Sequence, residues 1–571
     1  VAEPLGAILW AMRVLFVYPN LYTQMGLGHG LASLSAVLRR AGHETALINL
    51  NENLPPVPTP AQVFERIRAE RPGLLAFSCL TQQYGAGREL ARFLRARAAE
   101  VDFELPPLVV GGIHPTMVPR EVMADGVWDF VGVGECEDAL LELVHRLEAL
   151  EDTEVLPNFL CWRGGQRPAG PVPVDDARIV HNPVGEFPDL ETLPIPDYGL
   201  YDAARITAQK QGWFGILTSR GCPYRCTYCL NHKVIDRYRA ELGRPVPKLN
   251  FFRFRPPHLV IEELRQVLRE VPGIGTFIFD DDLFTQNSAH AIAVCEAYAE
   301  SGIGLPFVVN SHVKQLDPAV ARALQRAGCR ILKLGIESGS PRVRKEVLKR
   351  NMSDADILET IRIAEAARLH TSGFVMVGLP GESHAERLET VELLARSGIG
   401  RFRTSLFFPF PGTESYRFAL EGGYIDPNKL ATLTDFTAGS ALDFGAEENL
   451  FVEKLAAAMP WFVNVRLDAY GPAPAAVRYR PALDWLLGLA RDAWERERPR
   501  LRELDRALSA AASAAGERHY AIRYNASMGV RSDFFLAEEA GREWYTAAEP
   551  AVPRELERAR SALTAAANEV C

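Results

Sequence analysis

The spacing of apolar positions divides the chain into stretches of different character. Over residues 13–150, short continuous apolar runs alternate with segments whose apolar positions recur every three or four residues. RVLFVY (13–18), ETALINL (44–50), GLLAFS (73–78), PLVVGG (107–112) and DFVGVG (129–134) read as strands buried on both faces. LASLSAVLRRAG (31–42) and GRELARFLRARAAE (87–100) read as amphipathic helices between them. This alternation predicts an α/β domain over 12–150, a doubly wound, Rossmann-like parallel sheet. Residues 1–11 read as an upstream extension. Residues 151–210 lose the alternation and are rich in Pro, Asp and Gly, as in PAGPVPVDD, which predicts a linker packed on its neighbours.

From 211 the alternation returns. FGILTS (214–219), TFIFDD (276–281), PFVVNSHV (306–313), RILKLGIES (330–338), SGFVMVGL (372–379) and RTSLFF (403–408) are separated by helical stretches. Six such units predict a partial (β/α)6 barrel over 211–415, with its chemistry at the carboxyl ends of the strands. Residues 416–571 are rich in Ala, Arg and Glu and predict a helical C-terminal domain without a chemical motif. Trp461, Tyr470, Trp485 and Trp544 there are expected to pack into cores.

Composition narrows the picture. A net charge of −9 argues against sequence-independent nucleic-acid binding. No run of eighteen apolar residues exists, so no transmembrane helix is predicted. The apolar stretch LGAILWAMRVLFVYPN is interrupted by Arg13 and lacks the features of a signal peptide. Nine cysteines in 571 residues are too few for a disulfide scaffold, and three of them lie within eight residues. Clustered thiols point to metal and to a reducing cytoplasm.

Those three, Cys222, Cys226 and Cys229, follow the first barrel strand in LTSRGCPYRCTYCLNHKV (217–234) as C-x-x-x-C-x-x-C. Three thiolates hold three irons of a cubane and leave the fourth open to another ligand, where electron-transfer clusters use four. The competing account is structural zinc with His232 as the fourth ligand, but the usual pair-and-pair spacing is missing.

This motif, with Tyr228 as its aromatic residue, resembles that of radical S-adenosylmethionine (SAM) enzymes. FIFDDDLFTQN (277–287), LGIESGS (334–340), GFVMVGLPGES (373–383) and FFPFPGTES (407–415) are similar to further motifs of that family. The resemblance implies a [4Fe-4S] cluster that cleaves SAM to a 5′-deoxyadenosyl radical. It implies SAM contacts from Tyr228, Asp281, Asp282, His312, Glu337 and Ser338.

In the N-terminal domain, YPNLYTQMGLGHGLASL (18–34), GGIHPTMVPREV (111–122) and VGVGECEDAL (131–140) follow predicted strands, where open α/β sheets bind ligands. They resemble the cobalamin-binding domain fused to a subclass of radical SAM enzymes, with Cys136 replacing the third residue of the G-E-G-E pattern. The resemblance implies cobalamin contacts from Asn20, Tyr22, Gly28, Leu31, Ser78, Leu80, Thr81, Gly111, Gly112, His114, Thr116, Gly134 and Glu135. The D-x-H-x-x-G motif that supplies histidine to cobalt is absent, which implies base-off cobalamin with the loop Leu80 to Tyr84 facing the lower side of cobalt.

Three activities compete. The first is methyl transfer from methylcobalamin to an unactivated carbon, or phosphorus, of a small-molecule or natural-product intermediate. The second is radical cyclisation, oxidation or rearrangement with the same domains. The third, methylthiolation, needs three N-terminal cysteines, where this domain has Cys79 and Cys136. Expected partners are a small-molecule substrate and an electron donor such as flavodoxin or ferredoxin, with no nucleic acid, no membrane and a monomeric chain.

Overall fold

The computed structural model describes residues 11–21, 25–426, 430, 440–525 and 530–536. They fall into two compact units: residues up to 206 with 233–253, and 207–232 with the described residues from 254 onward.

In the first unit, strands β1 (Arg13–Tyr18), β2 (Glu44–Asn49), β3 (Leu74–Ser78), β4 (Leu108–Gly111) and β5 (Phe130–Gly132) pair in parallel. Val14 to Val17 are fully buried, as a strand covered on both faces requires. The order β2-β1-β3-β4-β5 reverses direction at β1, so the carboxyl ends of β1 and β3 border a topological switch point. The helix after β3 runs Thr81–Glu100, six residues earlier than the predicted start at Gly87. Gln83 anchors its start by accepting from the Leu80 backbone N–H at 3.0 Å. Residues 81–84, expected as loop, are therefore helix.

The stretch read as a linker adds β6 (Phe159–Trp162) and β7 (Ile179–His181), antiparallel, to this sheet. Trp162 is buried, and its Nε1 donates to the Trp128 carbonyl at 2.8 Å. Strands of four and three residues between Pro and Gly are shorter than any window in which periodicity shows. The helix Asn231–Leu242 covers the same core, with Tyr238 stacked on Phe187 at 3.8 Å between ring centroids.

In the second unit, β8 (Trp213–Ile216), β9 (Thr276–Phe279), β10 (Phe307–Ser311), β11 (Cys329–Glu337), β12 (His370–Val377) and β13 (Arg401–Leu406) pair in parallel and in chain order. These are the six strands of a partial barrel. Phe279 and Phe307 face the helix Ser288–Glu300 through Tyr298, at 6.3 and 5.0 Å between rings. The alternate positions Ile278, Val308 and Ile331 cluster with Trp213 on the inner face.

The C-terminal segment is helical over Ala446–Arg466, Pro474–Gly488 and Leu501–Ala514, as expected. It is not helical throughout: β14 (Tyr520–Asn525) and β15 (Val530–Leu536) form an antiparallel pair, and β15 continues the barrel sheet beside β13. Trp461 is core, its Nε1 donating to Asp505 at 2.8 Å, whereas Tyr470 and Trp485 are exposed. Trp544 lies outside the described residues. No helix among the described residues is long and apolar enough to cross a membrane.

Candidate functional sites

The cysteine loop leaves the barrel through Gly221, whose φ of 95° only glycine adopts cheaply. Thr227 pins its middle. The Thr227 N–H donates to the Leu348 carbonyl at 3.2 Å and its hydroxyl to Val347 at 2.7 Å, while the Thr227 carbonyl accepts from the Ser415 N–H at 3.0 Å. The P-G-T-E-S segment thus supports the loop from behind. Cys226 is buried; Cys222 and Cys229 are partly exposed. Burial pushes the Cys222 and Cys229 thiols up to about 12, so either becomes thiolate in place only against a cation. Among the described residues, no three His, Cys, Asp or Glu side chains converge on a ready metal cage. The donor chemistry still fits an iron–sulfur cluster, which brings its own cation and a soft acceptor for three thiolates.

Strand ends surround the loop with the residues singled out from sequence. Asp282 is exposed and hydrogen-bonded by Asn231. Asp281 is fully buried, and its Oδ1 accepts from the Thr218 N–H and hydroxyl, each at 3.0 Å, and from the Ser219 hydroxyl. Burial raises its carboxyl to about 6. His312 stacks on Tyr224 at 3.9 Å, and its Nδ1 accepts from the Lys314 N–H at 3.1 Å. Burial, helped by the Arg350 charge, lowers its imidazole to about 3, so the ring is neutral.

Glu337 closes β11 at φ 68°, a left-handed conformation that costs a side chain about 1–2 kcal/mol. A register irregularity between Gly335 and Glu337 accompanies the turn. Ser338 is fully buried and 3.5 Å from Glu382, so its hydroxyl is engaged within the protein.

Sequence reasoning missed Arg350. It donates to the Gly335 carbonyl at 2.6 Å, the Tyr228 hydroxyl at 3.2 Å and the Cys226 sulfur at 3.4 Å. It also draws on Glu337, whose carboxyl burial would otherwise push up further. Nothing in LKRN marks this arginine; a π-helical turn over Val343–Val347 delivers it. Tyr224 was within view, inside the cysteine motif.

At the carboxyl edge of the first unit, the ends of β3, β4 and β5 bring together Ser78, Leu80, Thr81, Gly111, Gly112, His114, Thr116, Gly134 and Glu135. Thr116 joins two of the loops: its hydroxyl donates to the Gly112 carbonyl at 2.8 Å and accepts from the Gly134 N–H at 3.0 Å. Gly112 has φ 101°, and a Cβ there would stand 2.8 Å from the Cys79 carbonyl oxygen. A Cβ on Gly111 would meet nothing within 4 Å, which leaves an open cradle above the sheet.

His114 stacks on Tyr84 at 4.4 Å, and its buried Nδ1 has no hydrogen-bond partner among the described residues. Burial lowers its imidazole to about 4. Glu135 is held by Arg253, with Nη1 to Oε2 at 3.1 Å. Asn20 is buried after β1 and accepts from Gln83 at 3.3 Å. Gly28 and Leu31 are less available. The Tyr201 hydroxyl sits on the Gly28 backbone at 3.1 Å, and Leu31 is core. Tyr22 lies outside the described residues. An open glycine cradle, a switch-point edge and an orphaned ring nitrogen fit a large heterocyclic cofactor such as cobalamin.

Comparison with known proteins matches the two regions that carry these residues. Residues 216–394 match the model of the radical SAM superfamily, and residues 26–144 match that of the B12 binding domain. An uncharacterized methyltransferase of Pyrococcus horikoshii is 26% identical over 395 residues, 68% of this chain and 78% of that protein. The anaerobic magnesium-protoporphyrin IX monomethyl ester cyclase of Cereibacter sphaeroides is 24% identical over 423 residues, 71% of this chain and 63% of that protein. The cobalamin-dependent SAM radical enzyme OxsB, solved with aqua-cobalamin and SAM bound, shares the fold. Its TM-score is 0.61 at 14% identity, over 89% of this chain and 76% of that one. With a cysteine loop on a partial barrel and a cobalamin-type sheet edge in one chain, the protein belongs to the cobalamin-binding-domain radical SAM family and is an enzyme that uses a [4Fe-4S] cluster, SAM and cobalamin.

Proposed function

We propose that the chain is a cobalamin-dependent radical SAM methyltransferase acting on an unactivated carbon, or on phosphorus, of a small molecule. When bound, the cluster and SAM supply a 5′-deoxyadenosyl radical, and cobalamin supplies a transferable methyl group. The observation that carries the reading is the open edge at Gly111, Gly112 and His114, kept in a chain that also has the three-thiol loop. A chain that had abandoned the corrin would have no reason to keep a bare glycine cradle and an orphaned nitrogen there.

Cys222, Cys226 and Cys229 would hold the cluster. Asp282 and neutral His312 would face SAM beside it, with Tyr228 and Glu337 tied in by Arg350. Asp281 and Ser338 support the walls, because protein partners already take Asp281 Oδ1 and the Ser338 hydroxyl. Cobalamin would bind base-off: neutral His114 stacks on Tyr84, and no histidine motif for cobalt is present. A one-electron donor such as flavodoxin or ferredoxin, a monomeric chain, no nucleic-acid partner and a cytoplasmic setting complete the reading.

Ring closure or rearrangement is the second reading, favoured by the similarity to the cyclase. The test is anaerobic purification with hydroxocobalamin, followed by product analysis. S-adenosylhomocysteine formed alongside 5′-deoxyadenosine supports methyl transfer; 5′-deoxyadenosine alone, with corrin retained, supports the second reading.

A further inference from the structure

The inner face of the barrel carries charge where a packed core would be apolar. Register pairs Asn310 with Lys333, Lys333 with Ser372, and Ser372 with Arg401 in one layer across β10 to β13. Lys333 lies two residues past Ile331 of the inner cluster, so it shares that face. It is 6% exposed, and Lys210, at the end of the helix Ala203–Gln209, is 9% exposed.

The charges acting on Lys333 are the attractive Asp280 and the repulsive Arg403, Arg401 and Lys210. Arg401 donates to the Ser372 hydroxyl at 2.9 Å, and Arg403 lies over the Phe374 ring at 5.4 Å. Asp280 acts on Lys210 as well, so the two ammonium groups draw on the same carboxylate. Burial depresses the Lys333 ammonium to about 8. Two buried ammonium groups that share one carboxylate beside Arg401 and Arg403 leave a surplus of positive charge, which is costly, and an apolar residue of similar size at 333 would make the more stable barrel.

We propose that this layer receives an anionic group of the substrate, a phosphate or a carboxylate, with Lys333 as its main contact and Lys210 beside it. The inference rests on the barrel being the substrate-binding body of a radical SAM enzyme. It sharpens the substrate class. Lys333 precedes Glu337 by four residues, roughly 13 Å along an extended strand. The substrate therefore has an anionic end well removed from its reacting atom.

The experiment uses the full chain with its cluster reconstituted without oxygen. Melting temperature is recorded against inorganic phosphate, acetate and, as a neutral probe, glycerol, at constant ionic strength set with potassium chloride. Phosphate or acetate is expected to raise the melting temperature of the wild type in a saturable way. Lys333→Met is expected to melt at or above the wild type in chloride and to bind the anion roughly 10–100-fold more weakly, the loss of one charge-assisted hydrogen bond.

Lys333→Arg should retain a response, which separates charge from shape. A response to phosphate alone assigns a phosphorylated substrate; a response to acetate alone assigns a carboxylate. Equal responses in wild type and Lys333→Met, meaning an adventitious ion only, or no response to either anion, overturn the proposal. The same preparations are assayed for 5′-deoxyadenosine. Its formation without an anion response sinks the substrate class and leaves the radical reading standing; an anion response without it does the reverse.

Discussion

Asp281→Asn separates a carboxylate that supports the site from one that is merely buried. Asp281 is fully buried and is bonded through Oδ1 to Thr218 and Ser219, and burial lifts its carboxyl from 3.8 to about 6. The folded pKa lies above the unfolded one, so the stabilising contribution is complete below the unfolded value and is lost as pH rises through the folded value. Between pH 4.5 and 7.5 the wild type should therefore lose about 2 kcal/mol from this group, at about 1.4 kcal/mol per unit over the interval to its folded pKa. Asparagine keeps the shape and the accepting oxygen but does not titrate. Urea unfolding of both proteins across this range, followed by tryptophan fluorescence, should show the variant gaining about 2 kcal/mol on the wild type as pH rises. Parallel pH profiles would refute the reasoning, because they would mean that the carboxylate ionises in the fold as easily as in the unfolded chain.

Other outcomes follow from the same geometry. The triple change of Cys222, Cys226 and Cys229 to Ala should abolish 5′-deoxyadenosine formation, whereas His232→Ala should keep iron on metal analysis; loss of all metal there would revive the zinc account. Arg350→Met strips partners from the Gly335 carbonyl and buried Glu337 and should cost roughly 3–5 kcal/mol in unfolding measurements, with Arg350→Lys intermediate. Gly112→Ala forces a methyl group to within 2.8 Å of a carbonyl oxygen at φ 101° and should lower stability by roughly 1–3 kcal/mol, while corrin retained on gel filtration falls. For His114, whose imidazole falls from 6.5 to about 4, stability should drop as pH falls from 6.5 towards 4, and His114→Gln should flatten that slope.

Repeating patterns were legible in the sequence, and single contacts were not. Each of β1 to β5 and β8 to β13 appears as a strand-like run within three residues of its place, most plainly where burial on both faces leaves few polar positions, as in β1 and β3. β6, β7, β14 and β15 escaped. The first two are too short to show a period, and β14 lies behind an Ala-rich helical run that dominated the composition. The motif residues mostly reached the expected strand ends, since motif and strand end are adjacent in the chain. Arg350 is joined to Cys226 across 124 residues, and the layer holding Lys333 exists only once four strands stand side by side. Neither kind of partnership leaves a local trace.

The helix Asn231–Leu242 follows directly on the cysteine loop, yet most of its length is counted with the first unit, where Tyr238 lies against Phe187 and its hydroxyl accepts from the Asn158 side-chain amide and the Glu135 N–H. The chain thus enters the barrel at 207, leaves it at 233 and returns at 254. Cutting at a single point between 151 and 210 would strip the cobalamin fold of Tyr238, Leu249 and Phe251 from its own core. The two folds are therefore interleaved in the gene and not appended end to end. Swapping either for that of a relative would mean exchanging two separated segments at once, so divergence in this lineage is expected to proceed by point changes within the shared helix sooner than by shuffling of whole folds.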